Sequence, residues 1–233
     1  MAKTKLVRSD LARQEPDGRL RRGIKARANV LDRAVNVAST NGLEGLTIGG
    51  LASDLGISKG NITVLFGDKE GLQLKTLDAA VDVFFSHVVR PALGEPSPIR
   101  RLQKLCNFWF DYVEERILPG GCILSATGTE YRARPGSIQN RVNFHRTAWH
   151  SLLAKTIHAA KDAEELNPEL DVQQLVFELV AFQLAANTAA LLGDQKFFLR
   201  ARRITQAQIS KARMDDESSA RVQPRKVKPR KRL

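Results

Sequence analysis

The sequence predicts an all-α fold, with an N-terminal three-helix module followed by a larger helical domain and about nine helices in total. Apolar residues recur every three or four positions in one segment after another. The breaks between these segments fall at Gly, Pro and Asn. Two short stripes, Ile48, Leu51, Ala52 and Leu55, then Ile62, Leu65 and Phe66, are separated by a turn that opens at Gly56.

Residues 1–23 mix Gly, Pro and charges without a sustained period, so disorder is expected there. The first helix should start near Ile24 and end at Asn41 and Gly42. Its face of Val30, Leu31, Ala34, Val35 and Ala38 would pack on Leu51, Ile62 and Phe66. Thr47 is placed to cap the second helix and Ser58 the third, with Gly56 taking the left-handed turn between them. A fourth helix is expected over 68–90, capped by Asp68 and stopped by Pro91. Ser97 and Pro98 open a fifth with the stripe Leu102, Leu105, Cys106, Trp109, Tyr112 and Val113. A sixth, short segment covers 122–132, and a seventh starts at Ser137 and carries Val142, His145, Trp149 and Leu153. Asp171 caps an eighth through Leu192, and a last helix spans roughly 194–211.

Two short helices joined by a Gly-initiated turn form a helix-turn-helix, whose second helix enters the DNA major groove. Ser58 and the free amides beside it suit a phosphate, Lys59 supplies a point charge, and Gly60 and Thr63 lie on the same face. Asn61 has the amide needed to read adenine, and Val64 an apolar end for a thymine methyl. A local cap is the alternative role for Asn61. Lys25 and Arg27, at the start of the first helix, are within reach of the DNA backbone.

Here the chain resembles the TetR family of bacterial transcription regulators. The residues that carry the resemblance are Thr47, Leu51, Ala52, Gly56, Ile57, Ser58, Lys59, Gly60, Phe66, Lys69, Glu70, Gly71 and Leu72, in that family's order and spacing. The resemblance covers roughly residues 24–210, and its motifs are specific up to Leu72. It implies a repressor that binds a palindromic operator as a homodimer and is released by a small molecule. It also implies that Thr47 and Lys69 help to hold the DNA backbone. The sequence departs from the family where Thr63 stands in place of a common Tyr and Leu65 in place of a common His. Gly49 and Gly50 are unusual inside the second helix, where each Gly costs about 1 kcal/mol against Ala. The effector pocket that the family implies would draw on Phe85, Trp109, Tyr112, Tyr131, Trp149 and Asn187, uncharged groups that favour a mostly apolar ligand. Core packing is the competing role for each.

The expected division is a basic arm (1–23), a DNA-binding domain (24–70), an effector and dimerisation domain (71–211) and a basic tail (212–233). The net charge of +12 is confined to the ends, because residues 1–28 and 211–233 carry +6 each and the middle is neutral. Such ends serve as phosphate-binding arms or merely as solvated chain, and both readings stand. The eighth helix is apolar almost all round, with Ala181, Ala185, Ala186, Ala189 and Ala190 along it. It must therefore be covered on two sides, by its own domain and a second subunit or by a monomer core.

No run of about eighteen apolar residues predicts a membrane helix, and the polar N-terminus does not read as a signal peptide, so a cytoplasmic location is expected. Two cysteines, Cys106 and Cys122, give neither a disulfide framework nor a metal site, and no cofactor motif is present. Two rival functions remain: a non-specific DNA binder acting through its tails, and an enzyme or redox sensor using Cys122 with His145, His150 and His158. Against the latter, the His spacings do not share one helix face, and no carboxylate pair accompanies them.

Overall fold

A computed structural model describes residues 18–213. No strand occurs among them, and the sole extended pairing described is an isolated bridge between Leu166 and Arg213. The helices are α1 (Gly18–Gly45), α2 (Ile48–Leu55), α3 (Lys59–Phe66), α4 (Lys69–Phe84), α5 (Arg90–Leu93), α6 (Pro98–Glu114), α7 (Ile123–Glu130), α8 (Ser137–Asp162), α9 (Val172–Leu191) and α10 (Gln195–Lys211). Counting α4 and α5 as one continuous rod gives nine helical units, as expected. The basic arm up to residue 17 and the tail beyond residue 213 lie outside the described residues.

Local signals account for most helix ends. Thr47, Ser58, Asp68 and Ser97 accept the N–H groups of Gly50, Asn61, Gly71 and Arg100, which removes orphan donors at each N-terminus. Gly56 turns the chain between α2 and α3 at φ 64°, ψ 30°, in the left-handed region.

Two boundaries differ from expectation. First, α1 starts at Gly18 rather than near Ile24, so residues 18–23 are helical and not disordered. Arg and Leu are good helix formers, and the apolar period was not needed to carry the extra turns. Second, Pro91 does not stop the fourth helix. A π-helical turn, Phe85–Val89, intervenes, with the Arg90 N–H donating to the Phe85 carbonyl. The helix then continues through α5 to Leu93, with Pro91 in its first turn. A proline ring clashes with the carbonyl four residues back in a regular helix, and the wider π turn relieves that crowding.

Burial divides into two cores. Val30, Ala34, Leu46, Leu51, Ala52, Ile62, Phe66 and Leu72 form a small one in the head. The larger core runs through α4 to α10 and takes Val35, Ala38 and Leu43 from α1. The expected face of α1 is therefore split: part packs on the helix-turn-helix and part on the body.

The joint between them is polar and specific. At Gly42 (φ 76°, ψ 166°) α1 kinks, leaving the next amides without helical acceptors. The Glu130 carboxylate, at the end of α7, accepts from the N–H groups of Leu43 (3.0 Å) and Glu44 (2.8 Å). Gln73 of α4 donates to the Leu43 carbonyl. Glu44 in turn holds Lys69 (3.0 Å) and the Tyr131 hydroxyl (2.9 Å). The Lys69 hydrogen bond, then that from Tyr131, keeps the Glu44 carboxyl below the usual carboxylate range. The loop before α7 presses on α1, where Gly120 donates its N–H to Ser39 Oγ at 3.1 Å. A Cβ at Gly120 would lie 1.7 Å from the Ser39 carbonyl oxygen. Gly120→Ala should therefore cost about 1–3 kcal/mol, read as a lower urea midpoint with an unchanged slope.

Candidate functional site

The recognition face is built on α3. Ile62 and Phe66 are buried in the head core, which turns Lys59, Gly60, Asn61, Thr63 and Val64 to solvent. Val64 is 86% exposed, a large apolar side chain that no described residue covers. The exposed Asn61 amide makes no hydrogen bond among the described residues, so the local-cap alternative does not describe its side chain here. Its backbone N–H is the one bound to Ser58 Oγ (3.2 Å). Thr63 Oγ1 donates to the Lys59 carbonyl at 3.2 Å, so its hydroxyl must turn before it can donate elsewhere.

Gly49 has a local reason. A Cβ there would meet Lys59 Cε at 3.2 Å, so the glycine leaves room for that side chain to lie across α2. Thr47 is occupied as the cap of α2. Lys25 is exposed, whereas Arg27 and Lys69 are engaged within the protein. Arg27 donates to the Leu65 carbonyl (3.0 Å) and stacks on Phe66, 5.0 Å from the ring centroid. It braces the end of α3. Lys69 is paired with Glu44 at the joint.

The body holds a second candidate site between α4, α6, α8 and α9. Phe84 makes edge-to-face contacts with Tyr112 (5.7 Å) and Trp149 (5.2 Å). Phe84, Trp109 and Trp149 wall a cavity of about 30 Å³. Trp149 Nε1 donates to Gln183 Oε1 at 3.1 Å. An adjoining cavity of about 160 Å³ is lined by Phe84, Phe85 and Trp149. Four of the six predicted effector residues thus gather here: Phe85, Trp109 and Trp149 line the cavities, and Tyr112 touches Phe84. The Tyr112 hydroxyl is buried without a partner among the described residues, and burial pushes its pKa up. Tyr131 and Asn187 lie elsewhere. Tyr131 belongs to the head–body joint, and Asn187 accepts the Cys122 N–H at 2.8 Å, fixing the start of α7.

Lining residues not foreseen as effector contacts include Phe84, Ser125, Arg146, His150 and Gln183. Gln183 carried a readable signal, as a polar residue within an apolar helix; Arg146 carried none. Cys122 and His150 border the same cavity, yet no hydrogen bond joins them among the described residues. His145 is turned to Asp78 (3.0 Å). Burial pushes the Cys106 thiol up to about 12, which leaves it unreactive. No group of three or more potential metal ligands occurs among the described residues.

The class of protein is thus an all-helical chain with a helix-turn-helix head and a cavity-bearing body. Residues 98–205 match the family described as tetracyclin repressor-like, C-terminal domain. No curated protein matches the sequence. Among solved structures, a TetR transcriptional regulator from Chloroflexus aurantiacus is 21% identical, with 83% of this chain and 98% of that one covered and a TM-score of 0.77. A transcriptional regulator from Saccharomonospora viridis in complex with choline is 21% identical, covering 82% and 99%, with a TM-score of 0.71. AibR in complex with isovaleryl coenzyme A and operator DNA is 16% identical, covering 70% and 85%, with a TM-score of 0.59. Residues 98–205 are thus similar to that C-terminal domain, and the chain shares the fold of solved TetR-family transcriptional regulators. Ser58→Ala, which removes the cap of α3, should lower stability by about 1 kcal/mol in chemical denaturation.

Proposed function

We propose that this chain is a sequence-specific transcriptional repressor, acting in the cytoplasm as a homodimer on a palindromic operator and released by a small-molecule effector. The observation that carries the reading is α3: Asn61 and Val64 stand free on a helix whose opposite side is locked into the head core. Such a helix presents a base-reading amide and a methyl-sized contact at a fixed angle. Ser58, Lys59 and the first amides of α3 hold phosphates beside them. Lys25 and Thr47 extend that contact along the backbone. Arg27 and Lys69 position the head rather than reach outward, and each would have to leave its partner to touch DNA.

Dimerisation is supported by α9 and α10. Phe177, Leu184 and Leu191 are exposed at helical spacing on α9, and Phe197 and Ile204 on α10. A second copy covers such a stripe and sets two recognition helices one DNA turn apart, about 34–36 Å. Phe177→Glu should give a monomer in sedimentation and weaken operator binding.

Effector control is supported by the path from cavity to joint. Leu124 and Ser125 border the cavity at the start of α7, and Glu130 ends the same helix at the joint. On α4, Phe84 walls the cavity while Gln73 holds Leu43. Structural neighbours solved in complex with choline and with isovaleryl coenzyme A support a small-molecule ligand for a chain of this fold. A coupling of about 1–3 kcal/mol would change operator affinity roughly 5–150-fold.

The basic ends favour a second reading, non-specific binding through the tails. Anisotropy titration of DNA from upstream of the chain's own gene, with random competitor, separates the two. It is run on the full chain and on one ending at Arg213, since Ala212 is buried and its carbonyl accepts the Asn167 N–H. Sequence-specific binding survives competitor, and Asn61→Ala should cost about 1–3 kcal/mol at one base position. Lys59→Ala should weaken binding to all sequences and lower the salt slope by about 1. Equal affinity for random DNA would favour the tails.

A further inference from the structure

We propose that the body cavity takes a small amphipathic carboxylate, with its acidic group on Arg146 and Gln183 Nε2 and its apolar part between Phe84, Trp109 and Trp149. The proposal deepens the effector reading above and rests on it for its regulatory meaning, though not for the binding itself.

Three observations set the ligand's chemistry. The first is a spare buried donor. Gln183 is buried, its Oε1 is taken by Trp149, and its Nε2 has no partner among the described residues. A buried donor left unmade costs about 1–3 kcal/mol, and an acceptor on a ligand recovers that.

The second is charge. Arg146 lines this cavity and the adjoining one along α9, and it makes no ion pair among the described residues. Its guanidinium lies against α7, where a Cβ on Gly128 would come within 3.0 Å of Nη1. No Asp or Glu lines either of these cavities, nor the third, beside Phe85. Asp78, the carboxylate bound to His145, is already matched by Arg141 at 2.9 Å. Burial, then the nearby Arg146 charge, lowers the His150 pKa, so Arg146 is the cation facing the site. A guanidinium with no acidic partner in a partly dry site favours a carboxylate, which accepts from it in a fork.

The third is shape. The two cavities that share Phe84 and Trp149 as walls measure about 30 and 160 Å³. Each alone is smaller than an ordinary ligand site, so binding joins them by parting α8 from α9 and pressing on Phe84. A quaternary ammonium would enjoy the aromatic rings but would meet Arg146 with no counter-charge. A wholly apolar ligand would bury both donors unpaired.

Both tryptophans of the chain, Trp109 and Trp149, wall the cavity, so their emission reports occupancy. The full chain is titrated with phenylacetate and octanoate, and with phenethylamine, octanol and choline. Saturable emission changes are expected with the two acids and not with the amine or choline, with octanol weaker than octanoate. Arg146→Gln should weaken octanoate roughly 10–100-fold with an unchanged thermal melt, Arg146→Lys should retain part of the affinity, and Gln183→Leu should weaken it less. Tighter binding of choline, the amine or octanol, no saturation by either acid, or unaltered affinity in Arg146→Gln would overturn the proposal. DNA binding by the ligand-free chain is measured on the same preparation. Acid binding without DNA binding would count against the regulator reading alone, and DNA binding without acid binding against this proposal alone.

Discussion

Two backbone amides and one carboxylate fix how the head, and with it α3, is seated on the body. The kink at Gly42 takes Leu43 and Glu44 out of the helical ladder, and an amide as covered as that of Leu43 is costly to leave without an acceptor. Glu130 satisfies both with its two oxygens, a charge-assisted pairing stronger than ordinary amide bonds. Because Glu130 ends an eight-residue helix, about 12 Å long, whose other end borders the body cavity, the head is tied to the cavity by one short rigid lever. The α4 rod makes a second tie, with Gln73 at the joint and Phe84 in the cavity wall. Both ties join walls of the cavity to the contacts that seat the head.

What was legible in the sequence is what short-range chemistry decides. Thr47, Ser58, Asp68 and Ser97 cap helices because their oxygens reach an amide three residues on, and Gly56 turns because it has no Cβ. These need no knowledge of the fold. Illegible were the contacts made across long stretches of chain. Arg27 reaches a carbonyl 38 residues away, Lys69 a carboxylate 25 residues away, and Glu130 amides 86 and 87 residues away. A cation near a helix-turn-helix looks available for phosphate until its acidic neighbour is found in space. Pro91 read as a stop because a regular helix cannot hold it, and the π turn that accommodates it leaves no local signature. Gly49 read as a weakness until Lys59 was seen lying over it.

The eighth helix of the sequence, α9, shows how one composition serves three purposes. Leu175, Val176 and Leu179 face the body core, while Phe177, Leu184 and Leu191 are exposed. By length and composition alone α9 could cross a membrane, contrary to expectation, with 44% of its apolar window buried. Its two buried polar residues have defined tasks: Gln183 holds Trp149 in the cavity wall and Asn187 fixes Cys122 at the start of α7. Arg146 and Gln183 come from different helices, and their convergence on one cavity exists only in the fold.

The central claim is that α3 reads sequence in two symmetric copies. Selection of duplexes bound by the full chain from a random pool, followed by sequencing, tests it most directly. The expected result is enrichment of an inverted repeat whose half-sites lie about one helical turn apart, or a multiple of it. An unenriched pool, or a single asymmetric site bound by one copy of the chain, would contradict it.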